Sequence, residues 1–438
     1  MNPTRRELLW TGLFGAGLLG LRALATGLPR DLLLGEAAAK TPPAESLLQD
    51  PQFLILSTSL HGDPVNANTP GTYEHADIQH SADPRMKKTA LQLGGKTYYA
   101  AAPWASLPQQ ALDRTVFFHH ATQRSAHPDL PKVLQPEAAL PHAELLPAMF
   151  GRYLASALGT TQSQPLLLCH ETGLAHASLA ADRSLRAISI AELRHTLSAE
   201  GGALHHLRQL RNHSLDKVQA QLKAQGTRAQ QQQVDRFALS EAQAQALSEQ
   251  LLDNLAALKD SDGDGQVIAA ATLIKLKVAP VVVIGIPFGG DNHFDSGFVQ
   301  ETEQTCSGVA SIALLLRKLQ EYGLSEQATF ALVNVFGRTL ARHGQNGRDH
   351  SPNHHTTVLI GKPFRGGVIG GVIPKEGDFY ASAVDAKTGA ADAAGDIPFA
   401  QTLASVGKTL GRGLGLPKQL VEDQLGAGKI VSAALSGA

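Results

Sequence analysis

Short uninterrupted apolar runs, each emptying into a loop of aspartate and histidine, restrict the folds open to this chain more than any other feature. Residues 279–286 read A-P-V-V-V-I-G-I and pass straight into F-G-G-D-N-H-F-D at 288–295. Residues 329–336 read T-F-A-L-V-N-V-F. They pass through a loop rich in Gly, Arg and Asn into a packet holding Asp349, His350, His354 and His355, with His343 just upstream. Runs without polar alternation suit strands buried on both faces, as in parallel sheets. Between them, 309–319 (V-A-S-I-A-L-L-L-R-K-L) has helical spacing and stops near Gly323. The three segments form a βαβ unit, which requires parallel strands and a right-handed crossover. Both strands then deliver an Asp and a His to one sheet edge, where open α/β sheets place their sites.

Imidazole nitrogen and carboxylate oxygen are donors for divalent cations, so this convergence reads as a metal site, with zinc, calcium and magnesium all left open. A solvated His-rich loop is the competing reading.

Further junctions of the same kind occur upstream. Phe53 to Ser59 reads as a first core strand ending in the turn-forming loop that carries Asp63, by itself an ordinary turn aspartate. Thr115 to Phe118 reads as another, leading into a loop with His119, His120, Thr122, Ser125 and His127. Pro165 to Cys169 and Thr356 to Ile360 are further strand candidates, and 366–371 reads as a tight turn or hairpin. Its glycines lack dinucleotide-binding spacing. Helical spacing marks 140–158 and 399–416.

Residues 191–259 change to Gln, Ala, Leu, Arg and Glu, with Leu247, Leu251, Leu255 and Leu258 on one face. This is a helical insertion, either a structural hairpin or a lid or surface for a protein partner. The stretch Asp260 to Gly265 resembles the start of a calcium loop, but the twelfth position is Ala271 where an EF-hand needs Glu. It therefore reads as an acidic turn that ends a helix.

At the amino terminus, Thr4-Arg5-Arg6-Glu7-Leu8-Leu9 is a twin-arginine pattern followed by a weakly apolar stretch too short to span a bilayer. Residues 1–39 read as a signal segment with small residues at Ala37 to Ala39 for cleavage. The expectation is export to the periplasm or cell surface, with membrane contact confined to an uncleaved leader. A chain of 438 residues can bury a full core, and 38 Lys+Arg against 39 Asp+Glu leave no electrostatic footprint for nucleic acid. Cys169 and Cys306 have no metal or redox spacing and read as two buried structural thiols.

The leader, F-G-G-D-N-H at 288–293, F-G-R-T at 336–339 and G-R-D-H at 347–350 together resemble an exported bacterial family known as domain of unknown function 1501, related to the alkaline phosphatase and sulfatase superfamily. Asp291 and His293 match its first motif, and the loop from Gly62-Asp63 to Asn66 resembles its early G-x-D-G-L-N segment. Val335, Leu340 and Ser351 stand where the pattern has Glu, Pro and Trp, and the tryptophan before Asp291 is absent. The resemblance implies a three-layer α/β/α sandwich with a mostly parallel sheet and a two-ion site at the strand carboxyl ends.

By that resemblance, Asp63, Asp349 and His350 would hold one ion. Asp291, His293 and His354 would hold the other, with His127 as a spare ligand or acid. Arg338 and Arg348 would clamp a phosphate or sulfate oxygen, or else brace their loops. Ser125 or Thr122 would be the nucleophile at a helix start. Two functions follow: a metal-dependent hydrolase of small anionic phosphate or sulfate esters, or a non-catalytic binding or assembly protein on the same fold.

Overall fold

A computed structural model describes residues 48–135, 145–160, 163–169, 176–178, 181–185, 263–341 and 347–437, with four isolated helical positions at 217, 220, 224 and 225. Apart from those four positions, the described residues all belong to the larger of two units, which spans 42–187 and 261–438. The leader and nearly all of the 191–259 insertion lie outside the described residues. Among those described, no helix is long and apolar enough to cross a membrane.

The larger unit is a mixed α/β structure built on a seven-stranded sheet. Its strands in chain order are β1 (Phe53–Ser57), β2 (Thr115–His120), β3 (Leu166–Leu167), β4 (Val281–Ile284), β5 (Ala328–Leu332), β6 (His355–Ile360) and β7 (Gly367–Ile369). Across the sheet the order is β7-β2-β6-β5-β1-β4-β3. Every pairing is parallel except those of β6, which runs antiparallel to both β2 and β5. β1, β4 and β5 are buried along their whole length, which explains why their sequences are continuous apolar runs rather than alternating ones.

The expected βαβ unit is present. Its two strands are not neighbours, however: β4 and β5 each pair with β1, which lies between them. The connecting helix, Val299–Glu321, starts ten residues before the expected position. The Asp295 carboxylate explains the early start, accepting hydrogen bonds from the backbone N–H of Gln300 at 2.9 Å and Glu301 at 2.8 Å. It thus satisfies two amides at the positive end of the helix.

Asp260 to Asp262 of the acidic stretch, and the segment before it, lie outside the described residues; Gly263–Lys275 is helical, with Asp264 in its first turn accepting from the Ser311 hydroxyl at 2.6 Å. Other expectations need correction. The second strand does not stop before the histidines. β2 continues through His119 and His120, both fully buried, because β6 offers them partners in register: Thr356 lies opposite His119 and His355 opposite His120. Residues 367–369 form an edge strand rather than a hairpin, with the turn left to Gly370. Cys169 is buried, whereas Cys306 is only half-buried.

Candidate metal centre

The site forms where the loops after β1, β2, β4 and β5 meet. The loop after β1 is held by Asp63, whose Oδ1 accepts from the backbone N–H of Phe288 at 2.9 Å and Gly290 at 2.7 Å. Asn334 Nδ2 donates to its other oxygen at 3.3 Å. A fully buried carboxylate is tolerable only with such partners. Asp63 thereby ties the β1 loop to the β4 loop, and it supplies order there rather than an exposed donor atom.

Asp291, on the β4 loop, is the centre of a cluster. Arg338 Nη2 donates to its Oδ1 at 2.8 Å. His293 Nε2 lies 3.2 Å and His350 Nε2 3.8 Å from the same oxygen, and His127 Nε2 lies 3.6 Å from Oδ2. Among the described residues, the ligand atoms of His127, Asp291 and His350 lie within 4.8 Å of one another, the spacing of a metal triad.

The tautomers of these rings follow from their other contacts. His127 Nδ1 meets the Leu60 carbonyl at 2.7 Å, and His350 Nδ1 meets the Ser125 carbonyl at 2.7 Å. A carbonyl can only accept, so both Nδ1 atoms carry a proton. His293 Nδ1 is similarly paired with Asp349 Oδ1 at 2.9 Å. In a neutral His127 or His350 the Nε2 facing Asp291 is therefore the unprotonated nitrogen, whereas His293 has a carboxylate oxygen near each of its ring nitrogens. His350 Nε2 is buried and has no hydrogen-bond partner. Burial holds its pKa below the ordinary histidine value, with nearby Arg338, His127 and His293 acting in the same direction. For Asp291, burial pushes upward, but the hydrogen bond and charge of Arg338, together with His293 and His127, outweigh it and keep the carboxyl below its ordinary value.

Phe336 forms the apolar wall, stacked on His350 at 4.2 Å and tilted against His127 at 5.3 Å between ring centroids. Gly62 makes room for it: its φ is +65°, and a Cβ there would lie 2.0 Å from Phe336 Cε2.

The candidates named from sequence separate into two groups. The structure brings together His127, Asp291, His293, Asp349, His350 and Arg338. It does not bring Asp63 or His354 into that cluster: His354 is fully buried against His119, 5.1 Å away and nearly parallel. Among the described residues, the ligand groups thus assemble differently from the two-ion scheme. Both arginines are fully buried. The Arg338 guanidinium donates to the carbonyls of Gly62, His61 and Arg348 as well as to Asp291. Arg348 pairs with buried Glu301 at 2.8 Å and donates to the carbonyls of Thr339, Leu340 and Gln79. They brace the site's loops.

The Thr122 hydroxyl donates to the Arg124 carbonyl at 3.3 Å within its own loop. Ser125 is exposed, and its described contact with the site is the carbonyl that orients His350. Glu301 escaped the sequence reading, because its place just ahead of the expected helix does not signal that a buried arginine will need it; Asn66 figures there only as the end of the early family-like segment, with no role.

No curated protein matches the chain. A family model described as "Protein of unknown function (DUF1501)" matches residues 162–418, a span that contains Asp291, His293, Asp349 and His350 and begins after His127. With more than half of its length matched, the chain belongs to the DUF1501 family.

Proposed function

We propose that this is an exported, metal-dependent hydrolase-like protein acting on phosphate or sulfate esters, with His127, Asp291 and His350 as ligands to a divalent cation and His293 beside them. One observation carries the reading: three imidazoles, each with its Nδ1 engaged by an acceptor, turn their Nε2 atoms towards a single carboxylate. In neutral rings a lone pair at each Nε2 faces that carboxylate, and a cation among them turns the repulsion into attraction. The arrangement of an outer acceptor, imidazole and inner lone pair is the one that prepares histidines for metal. Nitrogen-rich donors favour zinc-type cations over calcium or magnesium, which prefer oxygen.

A cation held by three protein ligands keeps an open position, from which it can polarise an ester oxygen and acidify water. The chain's own groups do the rest. The carbonyls of Leu60 and Ser125 fix two rings, Arg338 keeps Asp291 charged and oriented, and Phe336 covers one side. The mostly parallel sheet with its loops at strand ends supports kinship with the alkaline phosphatase and sulfatase superfamily and its three-layer sandwich. The twin-arginine pattern supports export to the periplasm or cell surface.

A second reading has an observation of its own. Both arginines are occupied by carbonyls and carboxylates, and the Thr122 hydroxyl is engaged within its loop, so neither an anion clamp nor a prepared nucleophile is evident among the described residues. A protein that binds metal without ester chemistry, contacting a partner through the 191–259 insertion, fits those facts.

Metal content per chain by plasma mass spectrometry, on protein exported by a bacterial host, tests both readings beside a His127→Gln/His350→Gln variant. Aryl phosphate and aryl sulfate turnover would be followed in parallel. Bound metal and turnover that are both lost in the variant support the hydrolase. Bound metal without turnover selects the binding protein, and a folded parent without metal sinks both readings.

A further inference from the structure

We propose that Asn66 is a positioning residue for the Asp291 cluster, acting through the backbone of Arg338 and anchored on its other side by a directed chain of two buried histidines.

Asn66 is fully buried. Its Oδ1 accepts from the backbone N–H of Arg338 at 3.0 Å, and its Nδ2 donates to the carbonyl of the same residue at 2.7 Å. One planar amide thus occupies both polar groups of Arg338, as a neighbouring strand would. Among residues of this size only asparagine offers a donor and an acceptor on separate atoms of one planar group. Gly337 permits the approach, since a Cβ there would lie 2.0 Å from the His354 carbonyl oxygen and 3.1 Å from Asn66 Cγ.

The amide's orientation is itself imposed. A backbone N–H can only donate, so the atom facing Arg338 N must be the oxygen, which leaves Nδ2 to donate to His354 Nδ1 at 3.1 Å. His354 Nε2 must then carry its proton, and it meets His119 Nδ1 at 2.8 Å. His119 Nε2 carries its proton in turn, donated to the Pro70 carbonyl at 2.7 Å. Every donor in the sequence Asn66, His354, His119, Pro70 points the same way, and reversing one would leave buried groups unpaired. His119 belongs to β2 and His354 immediately precedes β6, so the chain starts on the rigid sheet. At the other end, the Arg338 side chain runs from the held backbone to Asp291. The sheet therefore sets the place of the central carboxylate through Asn66 and Arg338.

The affinity arm of the test rests on the metal reading above, and a crystallographic arm does not. Cobalt(II) titrations of the folded full-length protein, followed by visible absorption, would compare the parent with Asn66→Ala, Arg338→Lys and the double variant. Asn66→Ser would stand in if the alanine variant does not fold. Positioning through Arg338 predicts a loss of roughly 10–100-fold for each single variant, the range for outer partners of metal ligands, and no further loss in the double. Losses that multiply, or an unchanged affinity in Asn66→Ala, overturn the proposal. In crystals of the metal-free parent and Asn66→Ser, the Arg338 Nη2 to Asp291 Oδ1 contact is expected to open beyond hydrogen-bond distance in the variant. An intact contact overturns the proposal whether or not cobalt binds. A parent that takes up no cobalt overturns the metal reading alone, and the crystallographic comparison then decides the role of Asn66.

Discussion

Arg338 and Asp291 meet at 2.8 Å from opposite surroundings: the guanidinium side chain is wholly buried, while the carboxylate is 41% exposed. The arginine is the fixed partner, anchored by three carbonyls, and the aspartate is the exposed end. On the proposed metal reading, this carboxylate ringed by imidazole Nε2 atoms is where a cation binds, and the outcomes below test it.

Asp291→Asn keeps the size of the side chain and removes its charge. Zinc affinity is expected to fall by more than the roughly 100-fold upper range typical of outer-shell substitutions. Folding should persist. Competition titration against a chromophoric chelator measures the first and circular dichroism the second, and unchanged affinity would remove Asp291 from the site.

Asp349→Asn tests the outer partner of His293. The amide oxygen can still accept from Nδ1, but it brings no negative charge to the outer side of the ring. A loss of roughly 10–100-fold in zinc affinity is expected, smaller than that for Asp291→Asn. The reverse order of the two losses would mean that Asp349 itself is a ligand.

Glu301→Gln should weaken the fold rather than the metal chemistry directly. Glu301 and Arg348 form a fully buried ion pair, and Glu301 also accepts from Asn68 at 2.9 Å and Asn292 at 3.0 Å. Neutralising one member leaves a buried charge without its counter-ion, which costs about 3–5 kcal/mol. Urea unfolding measures it, and a change under 1 kcal/mol, the ceiling typical of exposed pairs, would contradict the burial.

Acid should destabilise the protein in a definite window. Burial, the largest influence, holds His119 and His120 at about 4 against an ordinary value of 6.5, and holds His354 and His355 well below it. The folded state then binds fewer protons than the unfolded chain. Stability is complete above pH 6.5 and is lost as pH falls from there through the folded values. Each such histidine contributes a slope of up to about 1.4 kcal/mol per pH unit. Chemical unfolding at steps between pH 7.5 and pH 4.5 would show the fall, and a flat profile would contradict neutral burial of these rings.

Much of the architecture was legible in the chain because burial on both faces leaves a simple record. The runs at 53–59, 279–286 and 329–336 had to be internal strands, and a helix between the last two had to make them parallel. Asp291, His293, Asp349 and His350 stood out for the same local reason: donor residues at the ends of such runs. What the sequence does not carry is the direction in which each side chain points. His350 and His354 are four residues apart, yet one faces the cluster and the other is buried against His119, because His350 pairs with Arg338 in a short antiparallel ladder while His354 sits directly before β6.

The same limit explains Asp63, Arg348 and His127. Local composition marks a residue as able to bind metal or anion, but long-range hydrogen bonds decide whether that capacity is used up. Asp63 is satisfied by amides more than 200 positions away, and Arg348 by Glu301 on the helix after β4. His127, read from sequence as a spare ligand or acid, turns its Nε2 to Asp291 because the Leu60 carbonyl engages its Nδ1. The chain alone determined which residue types could meet at the sheet edge. Folding, by pairing some of them internally and leaving others bare, determined which of them remain available to a ligand.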